Sequence, residues 1–321
     1  MKAVVAHEFS GPSGLVYAEV EDPAGEGDVV IDVAAAGVCF PDLLLIRGEY
    51  QWKPPLPFIP GNEVAGTVLS APPQSGFVAG QRVSACPMLG GYAERVAVPS
   101  EFVVASPAHL DDAAAACLLG NYYTAYFALA QRGRLRPGET VLVLGAAGGI
   151  GTASAQVAKA LGARVIALVN RPQAVDFAES VGADVVLPLV DGWTRRVRDC
   201  TGGGGVDVVI DQVGGAVFAD ALGVLAPEGR LLVLGFASGG GIPGLRIPDL
   251  LPRNTSVVGV NSYDYVARTP DGRAQLQRGV ARLVEAGMRP PPPVLVRLSD
   301  AGSALERLAA GEVIGKAVLV P

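Results

Sequence analysis

The chain has 321 residues, half of them apolar and 17% charged, with a net charge of −6; this balance suits a folded protein of two domains and excludes a disordered one. Its 25 Lys and Arg are scattered, which leaves no basic patch for nucleic acid or an anionic membrane. Mean hydropathy is +0.38, yet no run of about 18 uninterrupted apolar residues reads as a membrane span, and Lys2-Ala3-Val4-Val5 enters a strand pattern with no leader signature. A cytoplasmic protein with no nucleic-acid or membrane partner is the expectation.

In chain order, alternation between Gly and Pro turns predicts strands over 3–6, 16–20, 28–35, 63–69, 82–85 and 93–98, a partial β-barrel. Within it, residues 41–47 read as a short helix carrying Asp42, and the proline-rich stretch 48–57 as an exposed loop open to a ligand. From Asp111 or Asp112, either suited to cap a helix, the pattern turns helical over 113–119 and 122–132. Strand and helix then alternate. Strands are predicted over 141–144, 165–169, 185–187, 206–211, 231–236 and 257–260, with helices over 150–161, 173–181, 193–200 and 216–225, the order of a doubly wound parallel sheet. A helix from Asp271 to Gly287, a proline corner at 290–293 and a last strand over 317–321 rejoin the first domain. The expected domains are 1–120 with 265–321, and 121–264.

Cys39, Cys86, Cys117 and Cys200 form no C-x-x-C pair, so neither a disulfide framework nor a structural zinc lobe is suggested. His7 and His109 are isolated, which disfavours a catalytic histidine. The strongest motif follows the strand over 141–144, where Gly145, Ala147, Gly148, Gly149, Ile150 and Gly151 form a turn opening a helix. Glycines at that spacing let backbone N–H groups approach a diphosphate at the positive end of the helix. After the next strand, where an acidic residue would hold the ribose of NAD, stand Asn170 and Arg171, an amide and a cation suited to the 2′-phosphate of NADPH.

Several further segments resemble the medium-chain dehydrogenase/reductase superfamily, in its quinone-oxidoreductase and enoyl-reductase branch. They are Gly37-Val38-Cys39-Phe40-Pro41-Asp42, Arg47-Gly48-Glu49-Tyr50, 57–66 with its Pro-Gly-Asn-Glu core, Asn121-Tyr122-Tyr123-Thr124-Ala125, Gly235-Phe236-Ala237-Ser238-Gly239 and Gly315-Lys316-Ala317-Val318-Leu319. The resemblance implies an α/β protein with a GroES-like catalytic domain and an inserted Rossmann domain, joined as a homodimer. It places Thr124, Phe236, Ala237, Ser238, Asn261 and Lys316 on the cofactor. The zinc ligands of its alcohol-dehydrogenase members fall here on Cys39, Asn62 and Asn121, and amide oxygens are poor zinc donors, so no metal is expected.

Without a Lewis acid the favoured chemistry is hydride transfer from NADPH to an activated C=C of an enone, enoyl thioester or quinone, where charge delocalises. Tyr50 matches a loop tyrosine of enoyl-reducing relatives and is the candidate hydrogen-bond donor, with Asp42 and Asn62 orienting groups near it. A packed aromatic, a helix cap and a turn residue are their structural alternatives. A zinc-independent alcohol or carbonyl reductase and a non-catalytic NADPH-binding protein are the competing readings. Two departures from the family are evident: Asn261-Ser262-Tyr263-Asp264-Tyr265 replaces a glycine- or tryptophan-containing stretch, and Ala174 stands where many NADPH-dependent members carry Lys.

Overall fold

Short runs of β-branched and small apolar residues, broken by Gly and Pro, build strands in the first third of the chain, as their period of two requires. The computed structural model describes residues 1–25, 27–241 and 243–321. Its contacts divide the chain into unit 1, Met1–Gly120 with Pro290–Pro321, and unit 2, Asn121–Arg289.

Unit 1 opens with β1 (Lys2–Ala6) and β2 (Leu15–Glu19), an antiparallel pair. It continues through β3 (Val29–Gly37), α1 (Phe40–Ile46), β4 (Val64–Ser70), β5 (Arg82–Ala85), β6 (Arg95–Val98), β7 (Val103–Ala105) and α2 (Asp112–Ala115). The chain enters unit 2 within α3 (Leu119–Tyr126), which widens into a π-helical turn over Phe127–Arg132. The single helix expected over 113–119 is broken: Asp111 accepts the Ala114 N–H at 2.7 Å and starts α2, which ends after one turn.

Unit 2 alternates β8 (Thr140–Leu144), α4 (Gly149–Ala160), β9 (Arg164–Val169), α5 (Val175–Ser180), β10 (Val185–Pro188), α6 (Trp193–Cys200), β11 (Val206–Asp211), α7 (Val217–Gly223), β12 (Leu225–Val233) and β13 (Ser256–Gly259). All six strands are parallel, in the order β10-β9-β8-β11-β12-β13. The β-branched and leucine side chains of residues 141–144, 165–169, 208–210 and 231–232 in the four inner strands are buried, as a sheet covered on both faces demands, while those of the edge strands β10 and β13 are mostly half-buried. The strand expected over 231–236 ends instead at Val233, because the backbone beyond it turns to pair with the segment after β11.

Two further helices, α8 (Ser262–Arg268) and α9 (Gly272–Glu285), belong to unit 2. The return to unit 1 therefore comes at Pro290 rather than at residue 265. The reason is packing: Phe127 stacks on Tyr265 with ring centroids 4.6 Å apart, and Tyr126 lies against Gly279, where a side chain would have no room. Back in unit 1, β14 (Val294–Arg297), α10 (Ala301–Ala309) and β15 (Ala317–Val320) follow. These strands extend the first sheet into the order β14-β15-β3-β4-β5-β7, with β6 also on β3.

Each unit buries its own core, around Ile31, Leu43, Ile46, Val83 and Leu319 in one and Leu142, Leu144, Ile166, Val209 and Leu231 in the other. Each such side chain contributes about 1.5–3 kcal/mol. Among the described residues no helix is long and apolar enough to cross a membrane.

Candidate active site

In unit 1, the bend between β3 and α1 is held by buried polar side chains. Asp42 accepts the Cys39 N–H at 3.0 Å and the Tyr92 O–H at 2.9 Å, both on Oδ2. Burial lifts Asp42 to about 6 despite these bonds, and pushes the Tyr92 phenol well above its ordinary value, so Tyr92 remains the donor. Beside them, the Lys316 ammonium lies 3.0 Å from Glu63 Oε2 and 2.9 Å from Cys39 Sγ. Lys316 is 8% exposed and Glu63 not at all. Burial alone would lower the Lys316 pKa, but its contacts with the Cys39 sulfur and the Glu63 carboxylate reverse this and raise it well above the usual range. Burial likewise pushes Cys39 up, so the sulfur stays a thiol that accepts from the ammonium. The second oxygen of Glu63 accepts the Gly120 N–H at 2.8 Å.

Of the residues predicted to do chemistry, Asp42 is fully enclosed. Tyr50 is half-buried, packed against the unit 1 core, and Asn62 is half-buried beside Glu63 in sequence. Lys316, expected on the cofactor, has its ammonium committed to Glu63 and Cys39. Sequence reasoning missed Glu63 and Tyr92; the only available signal was an acid next to Asn62 in the Gly61-Asn62-Glu63 segment.

In unit 2, the glycine turn stands at the carboxyl end of β8. Gly145 has φ +57°, in the left-handed region. At Gly151 a Cβ would strike the Gly145 carbonyl and stand 2.7 Å from Ala146 Cα, so only glycine lets α4 approach the turn. No side chain caps the start of α4, which leaves its N-terminal amides available to an anion. Ala147, Gly148, Gly149 and Ile150 complete this curve. Asn170, exposed, and Arg171, half-buried, follow β9. At the end of β11, Asp211 accepts the N–H groups of Val213 and Gly214 at 2.9 and 2.8 Å.

The exposed segment Phe236-Ala237-Ser238 is tied to the same place, since Ala237 N–H donates to the Gln212 carbonyl and Ser238 N–H to that of Val213, each at 3.0 Å. Thr124 Oγ1 lies 2.9 Å from Ser262 Oγ, and Asn261 caps α8 by accepting the Asp264 N–H at 3.0 Å. Asp211 and Gln212 carry no recognisable motif and were not foreseen.

The glycine cradle and the uncapped helix fit a dinucleotide phosphate. Zinc does not fit the donor set: the Lys316 ammonium lies 2.9 Å from the Cys39 sulfur, Asn62 and Asn121 offer amides, and among the described residues no three His, Cys, Asp or Glu side chains gather to hold a metal.

Residues 25–108 match the alcohol dehydrogenase GroES-like domain family and residues 149–279 the zinc-binding dehydrogenase family. The chain is 40% identical over 263 residues to the mouse quinone oxidoreductase-like protein 2, covering 81% of this chain and 74% of that one. Its fold matches a crystal structure of a probable oxidoreductase from Mycobacterium abscessus with TM-score 0.92 and 52% identity, over 100% of this chain and 99% of the other. The quinone oxidoreductase of Thermus thermophilus, solved also in complex with NADPH, matches with TM-score 0.84 and 32% identity over the whole of both chains. Two matched families in chain order, a six-stranded parallel sheet and relatives at this identity lead to one conclusion: the chain belongs to the medium-chain dehydrogenase/reductase superfamily, in its quinone oxidoreductase and enoyl reductase-like branch.

Proposed function

We propose that this protein is a zinc-independent reductase that uses NADPH to reduce the activated C=C of an enone, enoyl thioester or quinone. The observation that carries the reading is the pairing of Cys39 with the Lys316 ammonium, which removes the one strong zinc donor from the inherited ligand positions. A carbonyl-to-alcohol conversion leaves charge on one oxygen, whereas conjugate reduction spreads it, and a site with only hydrogen-bond donors suits the second. Bound at the glycine turn, NADPH supplies the hydride. Gly148, Gly149, Ile150 and Gly151 hold the diphosphate through backbone amides, and Arg171 with Asn170 takes the 2′-phosphate. Thr124, Asn261 and the 236–238 segment flank the nicotinamide half. Tyr50 donates from its phenol to the substrate carbonyl oxygen as enolate charge develops, with the Asn62 carboxamide as a second orienting group. Asp42 fixes the Cys39 backbone. The homodimer belongs to the same proposal and is supported by the open edge of β13, near which Ile247 and Leu251 are exposed.

The test is NADPH consumption with 1,4-quinones, short enones and enoyl thioesters, with product analysis, with and without a chelator. Turnover that survives chelation and yields the saturated or hydroquinone product supports the reading; loss on chelation sinks it. Arg171→Ala is expected to weaken NADPH by about ten- to a hundredfold and leave NADH unchanged, since a charge-assisted phosphate contact is worth about 1.5–3 kcal/mol.

A further inference from the structure

One amine of unit 1 is held against a sulfur. Lys2 and Lys159 pair with carboxylates and Lys53 lies over the Phe9 ring, whereas Lys316 places Nζ 2.9 Å from Cys39 Sγ. Both atoms face Glu63 Oε2, which is 3.0 Å from the nitrogen and 3.6 Å from the sulfur. The three side chains come from the bend after β3, the residue before β4 and the residue before β15, all within unit 1. Cys39 is 7% exposed and Lys316 8%, so the pair keeps an edge that a molecule the size of water touches, while Glu63 is enclosed behind it.

We propose that Cys39 and Lys316 form a peroxide-sensitive modification site, at which oxidation closes a reversible sulfenamide bond between the bend after β3 and the C-terminal segment of unit 1. A thiol oxidised by peroxide becomes a sulfenic acid, and a sulfenic acid condenses with a nitrogen held beside it. Cys39 Sγ gives two electrons to hydrogen peroxide and takes one of its oxygens, and the other leaves as water. The Lys316 ammonium then passes a proton to Glu63, its nitrogen attacks the sulfur, and the sulfenic hydroxyl leaves as water with a second proton from that nitrogen. An N–S bond now joins residues 277 apart in the chain. The ammonium and the carboxylate lose their charges together, so neither is left enclosed without its counter-ion. Two molecules of a small thiol reverse the step, restoring thiol and amine and leaving as their own disulfide.

The test treats the full chain with hydrogen peroxide, once folded and once unfolded in urea, alkylates the remaining thiols in denaturant and reads the peptides by mass spectrometry. The folded protein is expected to give a joined pair of peptides, one holding Cys39 and the other Lys316, lighter by two hydrogens than their sum and separated by dithiothreitol. The urea sample should give no such pair, because nothing there holds the amine to the sulfur. Lys316→Arg keeps a cation beside Glu63 but offers no amine, and is expected to abolish the pair. Cys39 recovered from the folded protein as a free thiol or as a sulfinic acid, with Lys316 unmodified, overturns the proposal. A pair that forms equally in urea overturns it too, and a pair that retains an added oxygen overturns the direct N–S bond.

Discussion

Unit 1 and unit 2 each hold a backbone bend at the end of a strand, and they do so by opposite means. After β3, the bend through Cys39 is fixed by enclosed ionisable side chains, Asp42, Glu63 and Lys316, with Tyr92. After β8, the bend through Gly145 is fixed by missing side chains and by one neutral amide, that of Gln212. A turn that must offer its N–H groups to a phosphate cannot have them taken by resident carboxylates. The first bend is accordingly sensitive to charge and the second to volume.

The largest effect is expected at the charged bend. Lys316→Met leaves the Glu63 carboxylate enclosed without its counter-ion, which costs about 3–5 kcal/mol. Urea denaturation of Lys316→Met and of the double variant with Glu63→Gln checks this: the double variant should recover more than half of the loss, and failure to recover would show that size, not charge, matters there. At the neutral bend, Gly151→Ala brings a Cβ against Ala146 and the Gly145 carbonyl, so the turn must shift, at about 3 kcal/mol. NADPH affinity measured by fluorescence should fall more than tenfold, and an unchanged affinity would break the contrast.

A third experiment uses pH. Asp42 has a folded pKa of about 6, raised from 3.8 by burial. The folded state therefore holds this proton more tightly than the unfolded chain, and the resulting stabilisation is complete below 3.8 and lost as pH rises through 6. Two units correspond to at most about 3 kcal/mol, and about 2 is expected after relaxation. Asp42→Asn should lack that loss, so its stability relative to the wild-type protein should climb between about pH 4 and 6 in thermal melts. The smallest effect is expected at a partly exposed pair in unit 2, Lys159 with Asp184 at 2.7 Å. Lys159→Ala should change stability by less than about 1 kcal/mol, and less still in high salt.

Legibility in the sequence follows the same division. The six parallel strands, the glycine turn and the Asn170-Arg171 pair all lie within local patterns, because periodicity and turn chemistry act over a few residues. The charged cluster was hidden because its members are distant in the chain: Cys39 and Glu63 are 24 residues apart, Glu63 and Lys316 253. Gln212 was hidden because a lone glutamine after a strand has no pattern. The helix from Asp271 was legible, but its allegiance to unit 2 depends on Tyr126. By contrast α10 carries an i, i+3, i+4 signal in Ala301, Ala304 and Leu305 that was there to be read.

The ion pair between Glu63 and Lys316 also bears on how the chain matures. Through its other oxygen Glu63 holds Gly120, the last residue before the chain leaves unit 1, and the Lys316 carbonyl accepts the N–H of Val294, just after the chain returns. Unit 2 is a continuous segment whose contacts are complete once Arg289 has been made. Unit 1 must wait for its C-terminal strand, and during synthesis Glu63 has no cation to meet until Lys316 is added, just ahead of that strand. Unit 2 can thus complete its contacts from a continuous stretch of chain, whereas unit 1 closes only when segments from either side of that insert meet.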